Sequence, residues 1–303
     1  MQPEFVLSVR NFRKTYGDLT AVDDLNFEVR RGEIYGLLGP NGAGKTSTLE
    51  SLEGLRKPDG GSLSILGVDP ARQPQKLRNL IGVQLQSSGL PPMMTVEEAM
   101  QFFCAYHGLP ARTDLLERLN LVEKRRGQFG LLSAGQQRRL ALALVLAHRP
   151  QVLFLDEPTA GLDVPSRIEL HELMAEIRAD GTTILLATHD MAEAEKMADR
   201  VAILLRGRIA AEGTPAQLTA AGSGLTKISV SSETNSLQTV ETAFPAVSQR
   251  LVKDEYAVFY STHPGQTVTA ILAYLEARSD ALIDLRVERP SLEERFLEIT
   301  QAN

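Results

Sequence analysis

The chain carries a single cysteine, Cys104, which excludes an internal disulfide and leaves no paired-thiol motif for redox or metal chemistry. A lone thiol of this kind is expected in the core. Long apolar runs are missing too. The longest, around Leu140 to Ala147, falls far short of the roughly 20 residues that cross a bilayer. No basic-then-apolar segment of the signal-peptide kind opens the chain. Positive charge is not in excess either: Lys+Arg 32 against Asp+Glu 38 gives −6, which argues against a nucleic-acid partner. Histidines form no metal-ligand spacing, and His107, His148, His171 and His263 read as structural. No internal repeat or low-complexity tract appears. These absences point to a soluble cytoplasmic protein, with any membrane role supplied by a partner.

What is present is ample for folding. The 303 residues are 43% hydrophobic and suit two domains better than one. The most informative stretch is Gly39-Pro40-Asn41-Gly42-Ala43-Gly44-Lys45-Thr46, which fits the P-loop pattern G-x-x-x-x-G-K-[ST]. Ile34–Leu38 before it reads as a short buried strand, and Thr46 to Glu53 after it as an opening helix. Strand, glycine-rich turn and helix N-terminus make an anion cradle: N–H groups converge, and the helix end adds roughly half a positive charge. Lys45 is expected on the terminal phosphates and the Thr46 hydroxyl on Mg²⁺.

Along the chain, Phe5–Val9 and Leu25–Val29 alternate as half-buried strands, with a turn at Tyr16-Gly17-Asp18 carrying an aromatic. Further strands are expected at Ser62–Leu66 and Leu80–Leu85, and helices at Thr95–His107, Thr113–Leu121 and Ala134–Ala147. Continuous apolar runs at Val152–Leu155, Ile184–Ala187 and Val201–Leu205 alternate with helices Val164–Ala179 and Met191–Ala198. That pattern predicts a parallel sheet covered on both faces. Arg206-Gly207-Arg208 reads as a hairpin turn into Ile209–Ala211. Composition shifts at Ala220 to Gly224, a flexible kind of linker. Beyond it, strands at Ile228–Val230, Arg250–Val252, Tyr256–Tyr260 and Leu282–Val287 and helices at Leu237–Phe244, Val268–Ala277 and Ser291–Ile299 give the order βαββαβα. A compact, ferredoxin-like α+β domain is expected there.

A P-loop alone says only nucleotide. Val152–Leu155 ends in Asp156-Glu157, placing one carboxylate where a P-loop protein holds its magnesium and the next towards an attacking water. Leu132-Ser133-Ala134-Gly135-Gln136 then precedes a helix and that strand at short range. With these elements the chain resembles the ATP-binding subunits of ABC transporters. The resemblance implies that Tyr16 stacks on adenine, that Gly39 to Thr46 forms Walker A, and that Ser47 lies near the α-phosphate. Gln86 becomes the Q-loop glutamine sensing magnesium and γ-phosphate, preferred over Gln84 because Ile81-Gly82 stands five and four residues before it. Ser133, Gly135 and Gln136 belong to the signature, where Ala134 replaces a usual glycine, tolerably if its φ is negative. Asp156 and Glu157 close Walker B, Gly161-Leu162-Asp163 is the D-loop and His189 the switch histidine.

The implied fold class is α/β: a P-loop, RecA-like ABC ATPase core over residues 1–220, with an antiparallel β region and a helical insert near 87–135. A C-terminal accessory α+β domain over 225–303 follows. The implied ligands are ATP and Mg²⁺, with Thr46, Gln86 and Asp156 holding the metal and Glu157, His189 and Gln86 serving catalysis. The implied partners are a second copy of the chain and a separate transmembrane permease facing residues 87–130, at the cytoplasmic face of the membrane. Pro290 to Leu297, after a separate domain, resembles the ending of ATPases from drug and antibiotic efflux systems. A soluble translation-type member would carry two cassettes and a repair-type member a long coiled coil, neither of which is seen. An importer subunit is opposed only by the C-terminal tail.

Overall fold

Polar residues break the alternation after Val9, yet the first strand, β1, runs over Phe5–Tyr16. Register shifts against β2 (Leu19–Arg30) between Val9 and Thr15 accommodate those residues, as bulges do. The computed structural model describes residues 5–84, 89–221, 225–240, 243–288 and 291–302. It divides into two units, Met1–Pro215 and Ala216–Asn303.

In the first unit β3 (Ile34–Leu38) leads into α1 (Lys45–Leu52), then β4 (Gly60–Ile65), α2 (Pro74–Leu77) and β5 (Ile81–Gln84). Helices α3 (Val96–Tyr106) and α4 (Thr113–Arg118) follow, with 3-10 turns at Val122–Lys124 and Phe129–Leu131, before α5 (Ala134–Leu146). The remainder is β6 (Val152–Asp156), α6 (Val164–Ala179), β7 (Thr183–Thr188), α7 (Met191–Met197), β8 (Arg200–Leu205), β9 (Arg208–Gly213) and α8 (Pro215–Ala220), which crosses into the second unit.

Two sheets result. An antiparallel sheet has the order β2-β1-β4, and a six-stranded sheet the order β5-β6-β7-β3-β8-β9. The latter is parallel except for β9. Its central strands are mostly apolar because both faces are covered: all of β3 and β7 is buried, the threonines at the two ends of β7 included. One core holds Phe12 and Leu25 from the small sheet, Leu49 and Leu52 from α1, and Tyr35, Phe154 and Leu185 from the large one. Each such side chain contributes on the order of 1.5–3 kcal/mol by leaving water. Between β5 and β6, helices α3 and α4 pack against α5. Thr95 and Glu98 cap α3 reciprocally, and Cys104 is buried there as expected. Among the described residues no helix is long and apolar enough to cross a membrane.

The second unit contains β10 (Thr226–Ser232), β11 (Val247–Lys253), β12 (Tyr256–Ser261), α9 (Pro264–Ala277), β13 (Leu282–Glu288) and α10 (Leu292–Ala302). Its antiparallel order β11-β12-β10-β13 is that of a ferredoxin-like sheet, with Ile271 and Leu275 of α9 packed on Ile228, Val230 and Phe259. Of the helix expected over Leu237–Phe244, the described residues keep only a 3-10 turn at Ser236–Gln238, residues 241–242 lying outside them. Arg250 explains the loss: its guanidinium donates to the carbonyls of Leu237, Gln238 and Val240, which a continuing helix would need. The linker glycines Gly222 and Gly224 lie outside the described residues.

Candidate nucleotide site

The C-terminal ends of β6, β7 and β3 lie side by side in the large sheet. Functional groups collect at such ends in open α/β sheets. Here they bring together the Gly39–Thr46 loop, Asp156-Glu157 and His189. The turn into α1 requires glycine at Gly44, whose φ is 104° and whose added Cβ would fall 2.6 Å from the Ala21 carbonyl. Lys45 is buried and folds over the loop, Nζ donating to the carbonyls of Gly39 at 2.7 Å and Pro40 at 3.2 Å. Ala43 is buried behind the loop.

The loop opens into a cavity of about 640 Å³ whose walls include Tyr16, Asn41, Gly42, Gly44, Lys45, Thr46, Ser47, Asp156 and Glu157. Tyr16 ends β1 and its hydroxyl donates to Ser47 Oγ at 3.3 Å, which fixes the ring at the cavity edge. Burial, then the neighbouring Glu157 charge, pushes the Asp156 carboxyl up, with Lys45 opposing. Burial likewise lowers the Lys45 ammonium, against the pull of Glu157 and Asp156. Glu53, at the far end of α1, is pushed up to about 7 by burial and by Asp156 and Glu50. Two adjacent carboxylates and one ammonium thus act on one another at the cavity wall.

Glu157 sits at φ 47°, a left-handed conformation rare outside glycine, with its N–H donating to the Ala187 carbonyl at 2.9 Å. That turn aims the carboxylate at the end of β7, where Oε1 is 2.8 Å from His189 Nδ1. A second tie joins the same segments below the surface: Thr159 Oγ1 donates to Glu193 Oε1 at 2.7 Å, both residues being buried. Buried His171 on α6 stands 3.5 Å from that Glu193 oxygen.

Other expected residues stand elsewhere. Ser133, Gly135 and Gln136 do not line this cavity. Ser133 Oγ instead accepts from Gln136 N at 3.3 Å while Gln136 Oε1 accepts from Ser133 N at 3.0 Å, capping α5. Ala134 is the first helical residue and has no left-handed φ, so its methyl is accommodated. Asp163 caps α6, accepting from Ser166 N at 2.9 Å, and that bonding lowers its carboxyl. Gln86 lies outside the described residues. Its alternative, Gln84, is buried with no hydrogen-bond partner for its amide among the described residues.

Four wall residues had no signal in the sequence: Leu19, Thr20, Ala21 and Arg206. The first three follow Tyr16 closely, but nothing in their chemistry marks a ligand. Arg138 of α5 was also unmarked; burial lowers its guanidinium while Asp156 and Glu157 raise it, which places it near the two carboxylates.

Comparison with known proteins extends this geometry. The family model described as ABC transporter matches residues 22–160. The chain is 38% identical to Nod factor export ATP-binding protein I of Ralstonia nicotianae, over 97% of this chain and 94% of that protein. It is 31% identical to linearmycin resistance ATP-binding protein LnrL of Bacillus subtilis, over 97% and 98%. With daunorubicin resistance ATP-binding protein DrrA3 of Streptomyces coeruleorubidus it shares 34% over 97% and 95%. A solved structure described as the ATP binding subunit of an ABC transporter has a TM-score of 0.65 at 30% identity, over 70% of this chain and 91% of its own. Relatives of this identity, aligned over nearly the whole length, show that the chain belongs to the ATP-binding subunits of ABC transporters, a family that hydrolyses ATP.

Proposed function

We propose that this subunit powers export through a separate transmembrane permease, working as a homodimer at the cytoplasmic face of the cell membrane. The observation that carries the dimer is one of placement. Ser133 and Gln136 cap the start of α5 outside the cavity that Lys45 lines, and with Ser133 exposed this helix end is available to a second copy's phosphates, Gly135 being buried behind it. Export rests on the relatives named for Nod factor export and for linearmycin and daunorubicin resistance, which align across the C-terminal unit as well. In this reading residues 225–303 fold as an accessory domain and stabilise the assembly.

Within each site Tyr16 stacks on adenine and the loop N–H groups, Lys45 and Ser47 hold the phosphates. Among the described residues no group of three or more His, Cys, Asp or Glu is placed to hold a metal ion. The Thr46 hydroxyl and Asp156 carboxylate are instead hard oxygen donors, which suits magnesium, an ion commonly bound through one or two carboxylates plus substrate phosphates. Thr46 and Asp156, with Gln86 as the resemblance implies, would hold the ion, and it would neutralise charge on the phosphate oxygens. Glu157 takes a proton from the attacking water. His189 Nδ1, 2.8 Å from Glu157 Oε1, holds that carboxylate in place for this role. The partner's Asp163 lies near the same phosphate on closure.

The permease meets residues 87–130, where Met93 and Phe102 are exposed apolar side chains. Cysteines placed at Met93 and Phe102 test this, because the single native thiol is buried. Crosslinks to a co-purified membrane protein are expected. Co-purification with crosslinks that avoid the segment would overturn the assignment, and the absence of any membrane partner would overturn the exporter.

A further inference from the structure

The turn between β8 and β9 is a two-residue hairpin, Leu205 pairing with Arg208. Its central residues, Arg206 and Gly207, have φ of 47° and 78°. Positive φ at both positions is the type I′ pattern, for which Asn-Gly or Asp-Gly is the favoured sequence. Arginine at the first position goes against that preference. The turn is also tied to its neighbours. Gly207 N donates to the Ala43 carbonyl of the phosphate loop at 3.0 Å, and Asp23 N donates to the Gly207 carbonyl at 2.9 Å. A Cβ on Gly207 would fall 2.7 Å from the Ala21 carbonyl. Arg208 pairs with Asp23 on the same strand of the small sheet. The hairpin is thus fastened to the phosphate loop, and Arg206 is among the residues that line the cavity.

Charge gives that placement a consequence. The charged residues lining the cavity are Lys45, Arg206, Asp156 and Glu157, two of each sign. Without Arg206 the wall would offer a polyphosphate more negative than positive charge. Left-handed backbone at a non-glycine residue points to function when the surroundings enforce it, as they do here. We infer that Arg206 is a nucleotide ligand, its guanidinium serving as a second cation for the phosphate chain beside Lys45. The inference rests on reading the cavity as the ATP site.

Arg206→Asn separates ligand from scaffold, because asparagine suits the turn better than arginine does. The full chain is titrated with ATP and magnesium, and its melting temperature is measured alongside. The variant should bind about 5- to 30-fold more weakly, the range of a lost charge-assisted contact, while melting no lower than the parent. The salt dependence of its affinity should be shallower. Arg206→Lys should recover affinity to within about threefold, since a point charge on a phosphate is what is required. Lys45→Ala is the control for the site itself. Parent-like affinity in Arg206→Asn, with Lys45→Ala impaired, would overturn the role of Arg206 and leave the site intact. Lysine no better than asparagine would overturn the charge role. Lys45→Ala with undiminished binding would remove the nucleotide site and Arg206 with it.

Discussion

His189 Nδ1 lies 2.8 Å from Glu157 Oε1, joining the end of β7 to the turn after β6. The carboxylate is largely covered and the imidazole largely open, with side-chain exposures of 12% and 54%. The bond fixes the orientation of the carboxylate. Glu157→Gln keeps shape and removes the proposed base, so turnover should fall by roughly 10²–10⁴ while ATP affinity is retained. His189→Ala should also lower turnover at little cost to binding. Near-parental hydrolysis by Glu157→Gln would take the base role from Glu157.

Much of this site was legible because its information is local. A P-loop is eight consecutive residues, and the strands feeding it are uninterrupted apolar runs that only a doubly covered sheet produces. The unread parts depend on contacts distant in sequence. β1 continues past Val9 because bulges absorb Arg10, Asn11 and Arg13, and alternation carries no mark of a bulge. The expected helix at Leu237 fails because Arg250, on another strand, takes its carbonyls. Arg206 joins the cavity only because a hairpin turn is bonded to Ala43. Ser133 and Gln136 were assigned by motif, and their capping bonds add a second job that the motif does not state.

The buried bond between Thr159 and Glu193 ties together the segments that present Glu157 and His189. Thr159→Val keeps the volume and deletes the donor, leaving a buried carboxylate short of a partner. Such a loss costs about 1–3 kcal/mol, visible as a lower urea midpoint with an unchanged slope. Turnover should fall with it, while ATP affinity holds. A variant as stable and as active as the parent would make the bond incidental.

A histidine stack gives the fold a pH response. His107, which ends α3, lies flat against His148 with ring centroids 4.2 Å apart, and His148 Nε2 donates to the Ile81 carbonyl at 2.8 Å. Burial lowers both imidazoles, and His148 and Arg78 lower His107 further. With folded values below the usual 6.5, the unfolded chain binds more protons just under that pH. This stability is therefore present above 6.5 and lost as pH falls through the folded values. Glu53 works in the opposite sense: raised to about 7, it favours the fold below 4.5 and loses that contribution as pH climbs through 7. His148→Gln retains a donor for Ile81 and should flatten the acid side, whereas Glu53→Gln should stabilise chiefly above 7. Melting curves from pH 5.5 to 8 check both. Parallel curves for parent and variants would contradict the linkage.

The shared site is tested through the helix cap. Ser133 Oγ accepts from Gln136 N, which leaves its own proton to donate outward, towards a second copy's phosphate in the proposed dimer. Ser133→Asp preserves an N-cap acceptor and so spares the helix, but places a negative charge where that phosphate would come. Each separate chain should still bind ATP through Lys45, and hydrolysis should be lost. Lys45→Ala should fail for the complementary reason, weak ATP binding. In a mixed dimer of the two variants, one composite site would contain both lesions and the other neither. Mixing should therefore restore hydrolysis to chains that are inactive alone, in proportion to the mixed dimers formed. If fluorescence transfer proves that the dimers mix while hydrolysis stays absent, each chain works with its own groups and the shared site falls.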